Sequence, residues 1–356
     1  EPYENTHPTL GKLIISVGIR IFGMNPFGWR FMGTLFGVLM LPVMYVFLKK
    51  LFGGKVVPVL GTIIFAADFM HYVQTRIATI DTYAVFFILL MYLFMYLWCE
   101  DGKKRYLALS GLFFGIGAAS KWTCIYAGAG LAVIWALHWI VRAHHRKDEE
   151  DGGNLFAEFL RNCGFCVVFF VLVPAAIYYV SYYHYGAAKG LTGIGAFFTK
   201  EYAQIVLDNQ TFMFTYHSGV TASHPYSSRW YQWVLDIRPI LYYLDYGTDG
   251  TRQSFGAFVN PILCWAGLIA LFVLGYEAVA KRDRRAAFIL IGYLAQLLPW
   301  VFITRITFEY HYFACTVFLV LALGYVIALM RQWNPRWRVY AVGMAVLCVA
   351  VFIMFY

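Results

Sequence analysis

Long apolar runs repeat along this chain, and they constrain its fold more than any motif does. A helix needs roughly 17–25 mostly apolar residues to cross the hydrocarbon core of a bilayer, and about ten runs approach or reach that length. Only 13% of the residues are charged, whereas 61% are hydrophobic. The sequence therefore predicts an all-α, polytopic membrane protein. The runs lie at residues 29–48, 56–73, 82–98, 106–119, 122–141, 156–180, 258–279, 286–303, 310–330 and 338–356.

The polar breaks between these runs alternate in charge. Every second break carries clustered lysines and arginines, whereas the breaks between them carry isolated cations. Basic residues in short loops mark the cytoplasmic side, so the clustered breaks are expected inside. The formal net charge of +9 is then a topology signal, and no break has the density of basic and aromatic residues that a nucleic-acid groove needs. The clustered cations are Lys49, Lys50, Lys55, Lys103, Lys104, Arg105, Arg142, Arg146, Lys147, Lys281, Arg282, Arg284, Arg285, Arg331, Arg336 and Arg338.

Two segments are expected at the outer surface instead of across the membrane. Residues 10–23 are too short and too charged to span, and Lys12, Ser16 and Arg20 recur every fourth residue as one polar stripe. This pattern predicts a helix that lies along the outer interface. Residues 181–257 form the longest break and are rich in Tyr, Trp, Gly and His. We expect this long loop to fold over the outer face of the membrane domain.

Ionisable side chains beside the apolar runs gather at their predicted outer ends. A charge near the bilayer centre costs roughly 2.5–3.5 kcal/mol, so each such group needs a reason. Lys121 is the hardest to explain structurally, because a cation at a helix N-terminus opposes the helix dipole. An anion held there by Ser120, the free backbone N–H groups and the ammonium would remove that conflict. The other groups are His7, Lys12, Arg30, Arg76, Asp81, His224, Arg229, Asp236, Arg238, Arg305, Glu309 and His311.

Several of these groups also have purely structural explanations. Asp81 precedes a long apolar run and could cap that helix. Arg30 could extend its side chain to the outer headgroups, and Glu309 and His311 could be capping or interfacial residues. Together, however, cations, carboxylates and histidines beneath an aromatic loop favour a site for an anionic lipid headgroup that carries a sugar. No Walker or dinucleotide glycine pattern precedes a helix, so a soluble nucleotide substrate is not expected.

Six strings of this sequence, in this order, resemble the protein O-mannosyltransferase family over essentially the whole chain. The resemblance implies one membrane domain of the GT-C glycosyltransferase type, residues 1–356, with an extracytoplasmic active site. It also implies transfer of mannose from a polyprenyl-phosphate-mannose lipid to Ser or Thr hydroxyls of proteins, with inversion. The strings are THPTLGK (6–12), FGWRFMGTLFG (27–37), TRIATIDTYAVFF (75–87), GAASKWTCIYAG (117–128), SHPYSSRWYQWVLDIRPI (223–240) and EYHYF (309–313).

The resemblance also suggests roles for individual residues. Arg76 and Asp81 match the arginine–aspartate pair of the family and are expected to take part in catalysis. Lys121 matches the lysine of the family's SKW string, and we expect it to bind the donor phosphate together with Arg76, Arg30 and Arg238. The residues expected to contact the sugar or the acceptor are His7, His224, Trp230, Trp233, Glu309 and His311.

The general base is expected to lie outside this sequence. In the family, the presumed catalytic acid belongs to an Asp-Glu motif of the first outer loop, just before the histidine-proline stretch. This chain starts after that point, so an N-terminal span and that loop are expected to be missing, and Glu1 and Glu4 are poor substitutes. The chain also stops inside an apolar run at Tyr356, which suggests a truncated C-terminus. Eukaryotic relatives carry a β-trefoil module in the long loop, which residues 181–257 cannot hold, so we expect the bacterial type in a plasma membrane.

Other interpretations remain open from the sequence. A related GT-C enzyme could move another sugar or use a lipid or glycan acceptor. A transporter would place polar residues at mid-membrane depth, and a scaffold subunit without activity would explain the absent acid. The expected partners are the lipid donor, an acceptor protein and membrane lipids. No cofactor is assigned, and no metal site, because no local segment holds a tight set of histidine and carboxylate ligands.

Overall fold

The predicted apolar runs all form helices in the structure, a computed structural model that describes residues 5–145 and 154–356. Eight helices are long and apolar enough to cross a membrane, and Val56–Ala66 and Lys104–Ser120 are shorter. The predicted all-α, multi-pass architecture is confirmed. The helices are α1 Leu10–Phe22, α2 Pro26–Phe52, α3 Val56–Ala66, α4 Phe69–Gln74, α5 Asp81–Asp101, α6 Lys104–Ser120, α7 Thr123–His145, α8 Leu155–Val167, α9 Val173–Ser181, α10 Tyr183–Ala188, α11 Lys200–Gly219, α12 Trp230–Val234, α13 Pro261–Ala280, α14 Arg284–Leu297, α15 Phe313–Trp333 and α16 Arg338–Phe355. The expectations for Glu1, Glu4, Arg146 and Lys147 fall outside the described residues.

The clustered cations meet at one end of the helix bundle, which we call the basic end. The Arg284 guanidinium lies 3.0 Å from His145 Nε2, which joins the start of α14 to the end of α7. Arg285 donates to the carbonyl of Leu51 at 3.1 Å, which adds the end of α2. Helix ends that the charge pattern assigned to one side of the membrane therefore lie together.

Helices α5 and α15 form the centre of the bundle. About four fifths of each is covered by protein, 83% for the window of α5 and 78% for that of α15. Tyr92 of α5 packs edge-on against Phe318 of α15, with ring centroids 4.9 Å apart, and its hydroxyl donates to Ala127 O at 3.0 Å. The bond satisfies a hydroxyl that would otherwise be unpaired in an apolar interior. The candidate site described below lies where these two central helices begin.

Local sequence signals set the helix boundaries. Asn25 Oδ1 accepts from Gly28 N at 2.9 Å, and Pro26 occupies the first turn of α2. Asn260 Oδ1 likewise accepts from Ile262 N at 3.1 Å at the start of α13. An asparagine before a proline-led helix satisfies one of the free N–H groups of the first turn.

The run predicted at residues 56–73 is not one helix. Helix α3 ends at Ala66, and the Asp68 side chain accepts from His71 N at 3.2 Å to begin the short helix α4. The other Asp68 oxygen accepts from Asn260 N at 2.9 Å. A buried carboxylate that binds two backbone N–H groups stabilises a break at this point, which apolar content alone did not indicate.

The long outer loop contains more structure than the sequence suggested. It includes the 20-residue helix α11 and an antiparallel hairpin, β1 Ile240–Tyr246 and β2 Arg252–Ala257. Its second half packs on the bundle: Ser228 N donates to Thr307 O at 2.9 Å, and Thr307 Oγ1 donates to Ser228 O at 2.6 Å. That this loop covers the outer face of the membrane domain stays a prediction.

The segment predicted as an interfacial helix is helical. Gly18 of α1 packs so closely on the backbone of Gly28 that a β-carbon would not fit. Along the predicted polar stripe Arg20 is exposed, and the ammonium of Lys12 reaches the His7 carbonyl at 3.2 Å. The orientation of α1 along a membrane surface stays a prediction.

Candidate functional site

Two of the predicted site residues meet at the end opposite the basic end. Lys121 follows α6, Asp81 is the first residue of α5, and Lys121 Nζ lies 2.6 Å from Asp81 Oδ1. Their side chains are only 7% and 12% exposed. Thr79 Oγ1 donates to the second carboxylate oxygen of Asp81 at 2.9 Å. The two buried charges therefore compensate each other, and the Asp81 carboxylate is held from two sides.

The structure corrects the part expected of Ser120 in holding an anion beside Lys121. The Ser120 hydroxyl donates to Ile116 O at 2.9 Å, inside its own helix, and is not available to a ligand. The anion beside the ammonium is the Asp81 carboxylate. The conflict between a lysine and a nearby helix start is thus relieved within the protein.

Arg76 and Asp81, the two residues that match the family's arginine–aspartate pair, make no direct contact in this structure. Arg76 is exposed, and its guanidinium lies over the Tyr72 ring at 4.4 Å from the centroid. Ile80, not Asp81, occupies the N-cap position of α5, so the capping explanation for Asp81 is wrong. Arg76 and Asp81 are five positions apart, and this spacing does not bring the two charges together.

Aromatic rings form a wall beside the Lys121–Asp81 pair. The His311 ring lies 4.3 Å from Trp300 and 4.3 Å from Tyr310, measured between centroids. Lys121 Nζ lies 5.6 Å from the centroid of the Tyr310 ring, a distance at which a cation is attracted to a π face. A small cavity opens beside Asp81 and this wall; its polar and aromatic lining residues are Asp81, Thr123, Tyr126, Gln296, Trp300, Tyr310, His311 and Phe313.

Two carboxyl groups, those of Glu309 and Asp236, lie beside the aromatic wall. Glu309 is completely buried, and its carboxyl faces that of Asp236. Asp236 also accepts from Val259 N at 3.1 Å, and burial raises the pKa of Asp236. Neither Glu309 oxygen has a hydrogen-bond partner among the described residues, and two adjacent carboxylates would repel each other unless one were protonated. The contact with sugar expected for Glu309 does not fit this burial.

The other predicted cations do not reach Lys121. Arg30 is exposed at the start of α2, and Arg238 is exposed and donates to Pro225 O. With Arg76, they lie on the accessible surface instead of in the cavity. Any role in binding a phosphate would therefore require a ligand that extends beyond the Lys121–Asp81 pair.

The predicted sugar and acceptor residues divide into buried and accessible groups. Trp233 is fully buried, and its Nε1 donates to Ser228 Oγ at 2.8 Å. Trp230 is half-buried, and the exposed His224 packs its ring on Phe308 with 5.2 Å between centroids. His7, half-buried, lies beside His217 with ring centroids 5.1 Å apart.

Arg305 is a residue to which the sequence gave no role. It is half-buried, donates only to Ile306 O at 3.1 Å, and lies close enough to Tyr126, Tyr310 and His311 to affect them electrostatically. It makes no ion pair within the described part of the chain. The available signal was its position as an isolated cation four residues before Glu309.

No metal ligand set accompanies these groups. Within residues 5–145 and 154–356, no three His, Cys, Asp or Glu side chains are placed to hold an ion.

Family comparison decides what kind of protein carries this site. A profile described as dolichyl-phosphate-mannose-protein mannosyltransferase matches residues 6–148, and one for the C-terminal four-transmembrane region of protein-O-mannosyltransferase matches residues 203–356. The chain belongs to the protein O-mannosyltransferase family. Two relatives are named polyprenol-phosphate-mannose–protein mannosyltransferase. That of Mycobacterium tuberculosis is 24% identical over 369 residues, covering 90% of this chain and 69% of the relative. That of Mycolicibacterium smegmatis is 25% identical over 395 residues, covering 96% and 74%.

Solved structures confirm the predicted GT-C fold. The Saccharomyces cerevisiae Pmt1–Pmt2 protein O-mannosyltransferase complex, bound to its sugar donor, superposes with a TM-score of 0.80 at 11% identity, covering 98% of this chain and 82% of that one. ArnT from Cupriavidus metallidurans, bound to undecaprenyl phosphate, superposes with a TM-score of 0.62 at 15% identity, covering 96% and 53%. At these identities the likeness concerns the fold alone.

Proposed function

We propose that this protein transfers mannose from a polyprenyl-phosphate-mannose lipid to Ser or Thr hydroxyls of proteins outside the cytoplasm. The observation that carries the proposal is the buried Lys121–Asp81 pair beside an aromatic wall, at the end opposite the basic end. Relatives in the family are named for this donor and for protein acceptors. The proposed location is the plasma membrane of a bacterium, with the site on the outer side.

The donor phosphate would bind at the accessible side of Lys121. An ammonium has three donors, and Asp81 takes one of them at 2.6 Å. Because Asp81 cancels the charge of Lys121, net attraction for a phosphate requires a further cation. Arg305 supplies it, since it is half-buried near the aromatic wall and has no carboxylate partner among the described residues. Arg30, Arg76 and Arg238 would attract the headgroup from the exposed surface.

The reaction moves charge toward this cationic region. The bond between mannose C1 and the phosphate oxygen breaks, and its electron pair stays on the departing polyprenyl phosphate. The acceptor hydroxyl oxygen bonds to C1 from the opposite face, and this direction of attack inverts the anomeric carbon. The hydroxyl proton goes to a carboxylate. Cations already in place stabilise the charge that grows on the phosphate in the transition state.

The remaining predicted residues act around this step. The carboxylate that accepts the hydroxyl proton is not assigned to any of the described residues. Asp81 would then keep the Lys121 ammonium in place, and the accessible faces of Tyr310 and His311 would contact the sugar. Trp233, being buried, would support His311, with which its ring stacks at 5.8 Å.

The proposal is tested with membranes that receive radiolabelled polyprenyl-phosphate mannose and an acceptor protein. Lys121→Ala should lower the transfer rate by about a hundredfold or more, as removal of one transition-state donor does in other enzymes. Arg305→Gln should raise the KM for the lipid donor. The matched control is Lys200→Ala, because Lys200 is exposed at the start of α11. Transfer by Lys121→Ala at the control rate would contradict the proposal.

Sugar and acceptor identity need a separate measurement. Mass spectrometry of secreted proteins from cells with and without the gene should show hexose on Ser or Thr only in the former. Modification of a lipid or glycan alone would instead assign a different acceptor. Cysteine labelling from either side of the membrane, at a position beside Lys121, would test the outward orientation.

A further inference from the structure

A second and larger cavity lies at the basic end, between α5, α7, α14 and the end of α13. Its volume is about 720 Å³, within the range of roughly 300–1,000 Å³ that is usual for ligand pockets. It is separate from the Lys121–Asp81 site and shares no lining residue with it. The proposed transfer reaction gives it no role.

The wall of this cavity changes from charged to apolar with depth. Arg142 lines it at the end of α7, whereas Ile134 lines it eight residues earlier on the same helix. At 1.5 Å per residue, the apolar wall therefore continues about 12 Å into the bundle. On α14, Arg284 lines the mouth, and Phe288 and Ile291 lie progressively deeper. The mouth is thus at headgroup level, and the wall behind it is at the level of acyl chains.

The mouth carries more cations than its carboxylates neutralise. Among the described residues, four arginines line it against two acidic residues, Glu100 and Asp283. The Asp283 carboxylate already accepts from two backbone N–H groups at the start of α14, which limits its use as a partner. Arg142 is engaged by Glu158 through two contacts, at 2.6 and 2.8 Å.

Two of the mouth arginines have no acidic partner in the part of the chain that the structure describes. Arg284 faces only a histidine nitrogen, that of His145, at 3.0 Å. Arg282 forms no hydrogen bond or ion pair there and has a φ of +54°. This left-handed residue lies just after the end of α13, where Asp283 N donates to Glu277 O at 3.0 Å.

We propose that this cavity binds one anionic diacyl phospholipid from the membrane leaflet at the basic end. Its phosphate would lie between Arg282 and Arg284, and an acyl chain would follow the wall formed by Ile134, Phe288 and Ile291. Charge complementarity selects the occupant, because a zwitterionic lipid brings its own cation to the arginines. Free phosphate would leave the apolar wall exposed to water.

The test is a lipid titration of the delipidated, full-length protein in neutral detergent, followed by native mass spectrometry. Dioleoyl phosphatidylglycerol should be retained in one copy, and dioleoyl phosphatidylcholine should not. The double variant Arg282→Gln/Arg284→Gln should bind phosphatidylglycerol about 30-fold more weakly, since each basic residue near a membrane surface contributes roughly 1 kcal/mol. The control removes two exposed cations of the same end that do not line the cavity, Lys49→Gln/Lys50→Gln, and should leave binding unchanged.

A measurement on the unaltered protein guards against a misfolded variant. Photoreactive phosphatidylglycerol should label peptides within residues 134–145 or 284–291. Equal retention of both lipids, unchanged binding by the cavity variant, or equal losses in the control variant would overturn the proposal. So would displacement of phosphatidylglycerol by inorganic phosphate, or a preference for polyprenyl phosphate in this cavity.

Discussion

The Lys121–Asp81 pair allows stability and activity to be separated in one experiment. We consider Lys121→Met, Asp81→Asn and the double variant. Each single change removes one charge and leaves its partner buried, whereas the double change removes both. Because the pair joins the segment after α6 to the start of α5, the energy that couples the two residues also reports how firmly the site is assembled.

The expected size follows from the geometry. Two unit charges 2.6 Å apart attract by about 6 kcal/mol at an effective dielectric constant of about 20. The loss of hydration offsets much of this attraction, because both side chains are nearly buried. Leaving one charge without its partner costs roughly 3–5 kcal/mol, and removing both is often close to neutral. The double variant should therefore be more stable than either single variant.

Equilibrium unfolding in mixed micelles, with rising fractions of sodium dodecyl sulfate, measures these differences. The two single variants should each lose several kcal/mol, and the double variant should recover most of that loss. Mannose transfer should be lost in all three, since the ammonium is needed for the phosphate. If the losses of the single variants simply add in the double variant, the two charges are not coupled. Recovered transfer in the double variant would show that the pair has only a structural role.

Two further outcomes test the parts around the pair. Trp233→Ala should destabilise the protein by about 3–5 kcal/mol in the same unfolding assay, because the ring is fully buried against Trp300 and His311. The neighbouring Tyr231→Ala, 53% exposed, should change stability by less than about 0.5 kcal/mol, and an equal loss would refute the proposed packing role. Burial raises the pKa of Asp236, so the native state binds more protons and stability should fall as pH rises above the ordinary value of 3.8. Thermal unfolding across the pH range should show a shallower slope for Asp236→Asn, and stability that instead rises with pH would contradict the shift.

Sequence patterns were sufficient for the helices because length and apolar content are local properties. The break at Asp68 was missed for the opposite reason. The carboxylate of Asp68 is stabilised by the backbone of Asn260, which is 192 residues away. Helix α11 and the hairpin were missed because a loop rich in aromatic and polar residues has no strong periodicity.

The sequence did not predict which charged residues pair with each other. Isolated charges at one set of helix ends indicated where a site is expected. The partner of Asp81 could not be found from neighbours in sequence, since Lys121 is 40 residues away and meets it only because α5 packs against α6. The facing carboxyls of Asp236 and Glu309 depend in the same way on how the loop packs over α15.

The central position of α5 and α15 has a consequence for how the protein tolerates its surroundings. Helix α5, which begins at Asp81, and helix α15, which follows Tyr310 and His311, have most of their surface against other parts of the protein. The segment Leu155–Ala188, in contrast, has only 6% of its window covered. When the lipid composition changes, such a peripheral segment can contact different lipid molecules while the contacts between helices stay largely the same. We therefore expect the distance between the Lys121 ammonium and the Tyr310 ring to change little when the lipids around the protein change.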